Sequence, residues 1–243
     1  MKKAAYYGVL AVLVCVFLFS AYKVGTYFLE QRRSQKDTNQ VKQYMQVQTP
    51  QNGVGDTQKA PITVNFEAMK QINPDIVAWI YIPDTRLNYP IVQAADNDYY
   101  LHRLLNGDYN LNGTIFMDYL NKTDFSDANT LIYGHNMKSG NMFGEMTNYK
   151  KQSFYDQHST AYLLTPDQNY KLELVAGVVL NHDAEIYQHG FSQSLLDFCR
   201  SHSTFQSTVE ASAQDKFVTL STCSYEYDDA RFVVLGKLVP IES

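Results

Sequence analysis

Between residues 76 and 238 the chain keeps returning to one kind of unit, a short apolar run closed by turn chemistry. Such runs, rich in Val, Ile, Leu, Tyr and Thr, fall at 76–82, 87–92, 114–117, 130–133, 161–164, 170–180, 216–222 and 231–238. Pro83-Asp84-Thr85 and Thr165-Pro166-Asp167-Gln168-Asn169 separate some of them, and both read as turns because Pro presets φ while Asp and Asn bond their own backbone. Strands this short and this numerous, without a helix between each pair, predict a β-barrel or sandwich decorated with helices rather than a doubly wound α/β sheet. The helical candidates are 98–105, 142–149 and 192–201. Earlier, Phe66, Met69 and Ile72 stand three apart in a short helix-like stretch stopped by Asn73-Pro74.

The 243 residues suffice for one domain with a sizeable core. A net charge of -5 and the lack of a basic stripe interleaved with aromatics exclude nucleic acid as the main partner. Cys15, Cys199 and Cys223 are too few for a disulfide framework and wrongly spaced for a Cys-rich zinc site. An unpaired thiol in a domain working outside the cell points to chemical use.

The N-terminus carries its own constraint. After Met1-Lys2-Lys3, residues 4–22 are uncharged and rich in Val, Leu and Phe. As a helix they span about 28 Å, close to the hydrocarbon thickness of a bilayer. A cleavable signal would need small residues at -1 and -3, which Leu18/Ser20 and Phe19/Ala21 do not supply, and Val14 before Cys15 is too bulky for a lipobox. Residues 1–30 therefore read as a membrane anchor. Charge leaves its orientation open: Lys2 and Lys3 flank one end, and Lys23, Arg32, Arg33 and Lys36 the other. Residues 31–60 are polar and Gln-rich, and read as a flexible or partly helical stem, with the globular domain at 61–243.

Three residues could carry chemistry. Cys223 closes the strand-like run Phe217-Val218-Thr219-Leu220-Ser221-Thr222-Cys223, where a rigid element could hold its sulfur at a cleft; a small buried hydrophobe is the alternative. Cys199, beside Leu195 and Leu196 on an apolar helix face, reads as core. His135 follows Leu131-Ile132-Tyr133-Gly134 and opens a polar loop, so it is either a proton carrier or a loop histidine without a role. Arg231 begins the last run, eight residues after Cys223. A short loop would set the two side by side, although an Arg after Asp228-Asp229 can equally form a surface ion pair. Together they supply a thiol nucleophile, an imidazole to handle protons and a permanent cation for an oxyanion. His182, Asp183, Glu185 and His189 match no standard metal-ligand spacing and read as a solvated loop.

These residues also carry a resemblance. Thr219-Leu220-Ser221-Thr222-Cys223 with downstream Arg231 resembles the TLxTC signature of sortases, and Tyr133-Gly134-His135-Asn136-Met137 resembles their histidine motif. Asn73-Pro74-Asp75-Ile76-Val77-Ala78-Trp79-Ile80, Tyr89-Pro90-Ile91-Val92-Gln93, Gly113-Thr114-Ile115-Phe116-Met117-Asp118-Tyr119 and Ser153-Phe154-Tyr155 are similar to class B sortases. The ending 225–231 is like clostridial-type members. The resemblance runs from about 65 to 240.

It implies a mainly β fold, a closed barrel of about eight strands with N-terminal helices and a helix, here 192–201, in the loop before the catalytic strand. It implies a cysteine transpeptidase without metal or organic cofactor, in which Cys223 attacks the threonine carbonyl of a C-terminal sorting motif and an amine of a cell-wall precursor resolves the thioester. His135 would protonate the leaving amine and deprotonate the incoming one, while Arg231 would bind the carbonyl oxygen. Asn97, Leu101, Ser221, Ile186, Tyr187 and His182 match substrate-contacting positions, although the loop 181–187 departs from the best-known version. The implied partners are sorting-motif surface proteins, the peptidoglycan precursor and the membrane, with the catalytic domain extracellular. Pilin polymerisation, plain proteolysis and a catalytically idle peptide-binding barrel are the competing readings.

Overall fold

The computed structural model describes residues 2–48, 59–188 and 190–242. Helix α1 (Lys2–Lys42) is followed by β1 (Met45–Val47), β2 (Ile62–Val64) and the short α2 (Phe66–Lys70), which Asn65 caps by accepting the Ala68 N–H. Then come β3 (Ile76–Tyr81), β4 (Asn88–Val92), β5 (Phe116–Met117), β6 (Asn129–Tyr133), α3 (Gln152–Gln157), β7 (Thr160–Leu164), β8 (Asn169–Asn181), α4 (Gln193–Ser201), β9 (Phe217–Cys223) and β10 (Ala230–Ile241). Strands β3 to β10 close into one eight-stranded barrel in the order β10-β8-β7-β3-β4-β5-β6-β9. Two neighbouring pairs, β4–β5 and β6–β9, are parallel. Each of the eight apolar runs is a strand of this barrel, and 192–201 is helix α4 with Ser192 as its N-cap.

The period of two along each strand divides the core. On β9, Val218 and Leu220 point into the barrel with Phe232 and Val234 of β10. The alternate residues face outward, where Phe217, Val233 and Leu235 meet Leu195, Leu196 and Cys199 of α4. Elsewhere on the outer surface Trp79, Val92 and Phe116 pack against Met69 of α2 and Val41 of α1.

Two helical expectations are corrected. Residues 98–105 make only a 3₁₀ turn, Tyr100–His102, because the carbonyls of Tyr100 and His102 accept from Thr114 and Asn110 across the loop instead of along a helix. Residues 142–149 cannot begin a helix at Met142, whose φ is +52°; a 3₁₀ helix starts later, at Glu145–Lys150.

The polar segment after Gln31 is helical as far as Lys42, and its end is docked on the domain. Asp37 is buried and accepts the Leu105 N–H at 2.7 Å, and Asn110 Nδ2 donates to the Glu30 carbonyl. Strand β1 pairs with β2, so residues before 61 add to the folded unit. The stretch 49–58 of the expected stem lies outside the described residues. Residues of α1 from Tyr6 to Leu29 expose their apolar side chains, and this helix is long and apolar enough to cross a membrane.

Candidate active site

The outward parity of β9 builds the site. Phe217, Thr219, Ser221 and Cys223 share one face, and the first two are held by α4 and by Asn129, which accepts the Thr219 hydroxyl at 2.8 Å. On β10, Arg231 stands directly opposite Cys223 in the antiparallel register. Directly opposed residues project to the same face with Cβ atoms about 5 Å apart, so thiol and guanidinium sit side by side. Among the described residues no carboxylate pairs with Arg231; its Nη1 donates to the Ala230 carbonyl at 3.1 Å. The ion pair with Asp228 or Asp229 is absent.

His135 arrives from the other neighbour of β9. The parallel register pairs Tyr133 with Ser221, and two residues further the histidine loop reaches the level of Cys223. Three bonds stitch loop to strand: Gly134 N–H to the Ser221 carbonyl at 3.1 Å, Thr222 Oγ1–H to the Gly134 carbonyl at 2.7 Å, and Asn136 Nδ2–H to the Cys223 carbonyl at 2.8 Å. His135 Nε2–H donates to the Leu101 carbonyl at 2.8 Å. A carbonyl can only accept, so the hydrogen sits on Nε2 and Nδ1 is the basic nitrogen of the neutral ring. Burial pushes the His135 pKa below the ordinary histidine value, against the Leu101 bond, which raises it; the neighbouring His102 lowers it further.

Cys223, His135 and Arg231 line one groove of about 540 Å3 together with Asn97, Leu101, Ser221, Tyr187 and His182. Tyr187 and Ser221 share a 2.8 Å hydroxyl hydrogen bond, and burial drives the Tyr187 hydroxyl up to about 12. Asn97 is fixed from both ends, donating to Asp118 at 2.9 Å and accepting the Tyr119 N–H at 3.0 Å. Ile186 is not brought to the groove: it is fully buried, packs on the α4 side and offers its carbonyl to Asn129. Tyr133 and Phe116, which sequence reasoning missed, add aromatic walls. The alternation along β6 carried that signal for Tyr133.

On the far side of the Cys223–Arg231 loop, Lys150 donates to Ser224 at 2.8 Å and pairs with Glu226, whose carboxyl is held near 2 chiefly by that lysine. Cys199 is buried, its thiol pushed up to about 12 by burial, as a core residue should be. Among the described residues no three His, Cys, Asp or Glu side chains gather to hold a metal; His189 of the loop cluster lies outside them.

A closed barrel that brings a thiol, an imidazole and a guanidinium to one groove on its outer face offers a candidate cysteine acyl-transfer site. The sortase domain family matches residues 80–239. Sortase B of Listeria monocytogenes is 34% identical over 241 residues, 94% of each chain. The structure of sortase B from Bacillus anthracis superposes with a TM-score of 0.72 at 34% identity, covering 89% of this chain and 98% of that one. A Staphylococcus aureus sortase B–substrate complex gives 0.69 at 32% identity, covering 73% and 85%. The chain belongs to the sortase family of cysteine transpeptidases. Within that family it is a class B sortase.

Proposed function

We propose that transpeptidation runs in this groove with Cys223 as nucleophile, Arg231 as oxyanion partner and His135 as proton carrier. The register that sets Cys223 opposite Arg231 supports this reading most strongly. The Cys223 sulfur attacks the threonine carbonyl of a C-terminal sorting motif, while Nδ1 of neutral His135 takes the thiol proton. The negative oxygen of the tetrahedral intermediate lies against the Arg231 guanidinium. His135 then gives its proton to the leaving amine, the C–N bond breaks and a thioester remains. An acceptor amine attacks that carbonyl, loses its proton to His135, and the new amide forms as the sulfur departs and is reprotonated. These steps draw on side chains alone and call for no cofactor.

Asn97, Leu101, Ser221, Tyr187 and His182 line the path of the motif peptide. The partners are surface proteins bearing an Asn/Ser/Pro-Pro-x-Thr-Gly or Asn-Pro-x-Thr-Asn motif, and an amine of the peptidoglycan precursor. Helix α1 anchors the chain in the cell membrane in a single pass, with the barrel outside.

The test uses the full chain in detergent with a panel of these motif peptides, with and without oligoglycine and side-chain amines. Ligated product that grows with amine at the expense of hydrolysis is expected. Cleavage indifferent to every amine would make it a protease, and no turnover of any peptide would favour the idle barrel.

A further inference from the structure

A second imidazole lies against His135, and the proposed chemistry does not use it. His102 closes the turn Tyr100–His102 and directly follows Leu101, whose carbonyl holds His135 Nε2–H. The two rings stack with centroids 5.8 Å apart and planes 20° from parallel. Tyr109 lies 6.0 Å from His102, and the His102 carbonyl accepts the Asn110 N–H at 3.0 Å, so both ring and backbone are pinned.

The Nδ1 atom of His102 is buried and has no hydrogen-bond partner among the described residues. A buried donor left without an acceptor costs about 1–3 kcal/mol, so the ring hydrogen belongs on Nε2. No bond at Nδ1 fixes this ring; packing does. A phenylalanine would stack equally well and leave no polar atom unsatisfied. The imidazole is thus an expense for which packing gives no reason.

We propose that His102 is a positioning residue for transpeptidation, its stacked imidazole holding the His135 ring plane on the Leu101 carbonyl with Nδ1 turned to the groove. This inference rests on the catalytic reading of His135. The second imidazole also acts on charge. His102 adds to the burial that already favours neutral His135. The base thereby stays available as conditions turn mildly acid.

Asp96, Asp98 and Arg103 line the hollow beside His102, and Asp98, His182, Cys223 and Arg231 line the groove with His135. A turnover profile sums over all of them, so the His135 ring must be followed directly. In the full chain in detergent, histidine ring signals are titrated by NMR for the native protein, His102→Phe and His102→Ala, with His135→Ala assigning the signal. His102→Phe keeps a stacked ring that cannot carry charge; its His135 midpoint should move upward, and the acid limb of kcat/KM should follow. His102→Ala removes the stack and should lower kcat at least about tenfold with little change in KM, as a misplaced base does. An unchanged or lowered His135 midpoint in His102→Phe overturns the inference, whether or not His102→Ala folds. Turnover surviving in His135→Ala would remove the catalytic reading and this inference with it. Native behaviour of both His102 variants beside an inactive His135→Ala would remove this inference alone.

Discussion

The Leu101 carbonyl, which accepts His135 Nε2–H at 2.8 Å, is backed by a glycine that admits no side chain. Gly113 has φ of +57°, and a Cβ there would stand 2.5 Å from the Leu101 oxygen and 2.6 Å from that of Tyr100. Gly113→Ala should therefore both strain its own backbone and push away the atom that orients His135. The expected cost is about 1–3 kcal/mol of stability, seen in a lowered melting temperature. At temperatures where the variant is folded, kcat should also drop about tenfold or more through displacement of the imidazole.

Arg231 and Cys223 face each other across β9 and β10, so the cation's shape matters as well as its charge. A lysine ammonium keeps the charge but not the planar fork. Arg231→Lys should lose about a hundredfold in kcat, as removal of an oxyanion donor does, with a smaller change in KM. Steady-state kinetics on the full chain checks this, and near-native turnover would remove the claim about guanidinium geometry.

The pKa of His135 is lowered from 6.5 by burial, which gives stability a defined pH dependence. The unfolded chain binds this proton more readily than the folded one between the lowered value and 6.5, so stability rises with pH across that window. The contribution is complete above 6.5 and is lost as pH falls through the folded value. Denaturant unfolding of native protein and His135→Gln across mildly acid pH should show a shallower slope in the variant. Parallel slopes would mean that His135 is not kept from its proton.

Much of this arrangement was legible in the sequence. The apolar runs 217–223 and 231–238 read as two strands, and the short loop between them offered two places for Arg231, beside Cys223 or in a surface ion pair. The register settles on the first. Partial legibility applies to His135: its motif pointed to the site, but the parallel pairing of β6 with β9 joins segments more than eighty residues apart and leaves no local trace. Leu101 was expected as groove lining, and its side chain is; that its carbonyl orients the imidazole depends on backbone direction, which residue type does not encode. Ile186 could not be separated from Tyr187 by pattern, since a 3₁₀ turn sends one inward and the other to the groove. The docking of the helix end through Asp37 was hidden because composition there is polar, and a single buried carboxylate binding a distant N–H looks like any solvated residue.

The anchor gives a topological expectation. With the barrel outside, as the proposed function requires, protease added to intact protoplasts should shed it. Immunoblotting against the barrel would read the outcome. Full protection would place the domain on the cytoplasmic side.

In the proposed reaction Cys223 carries the acyl group. The direct measurement is intact-mass spectrometry of the full chain after mixing with motif peptides, with Cys223→Ala as control. A mass increase equal to the N-terminal peptide fragment, located on Cys223, missing in the variant and discharged by added amine, is the expected result. Product formation with no such adduct in rapid-quench samples, or an adduct that persists in Cys223→Ala, would contradict it.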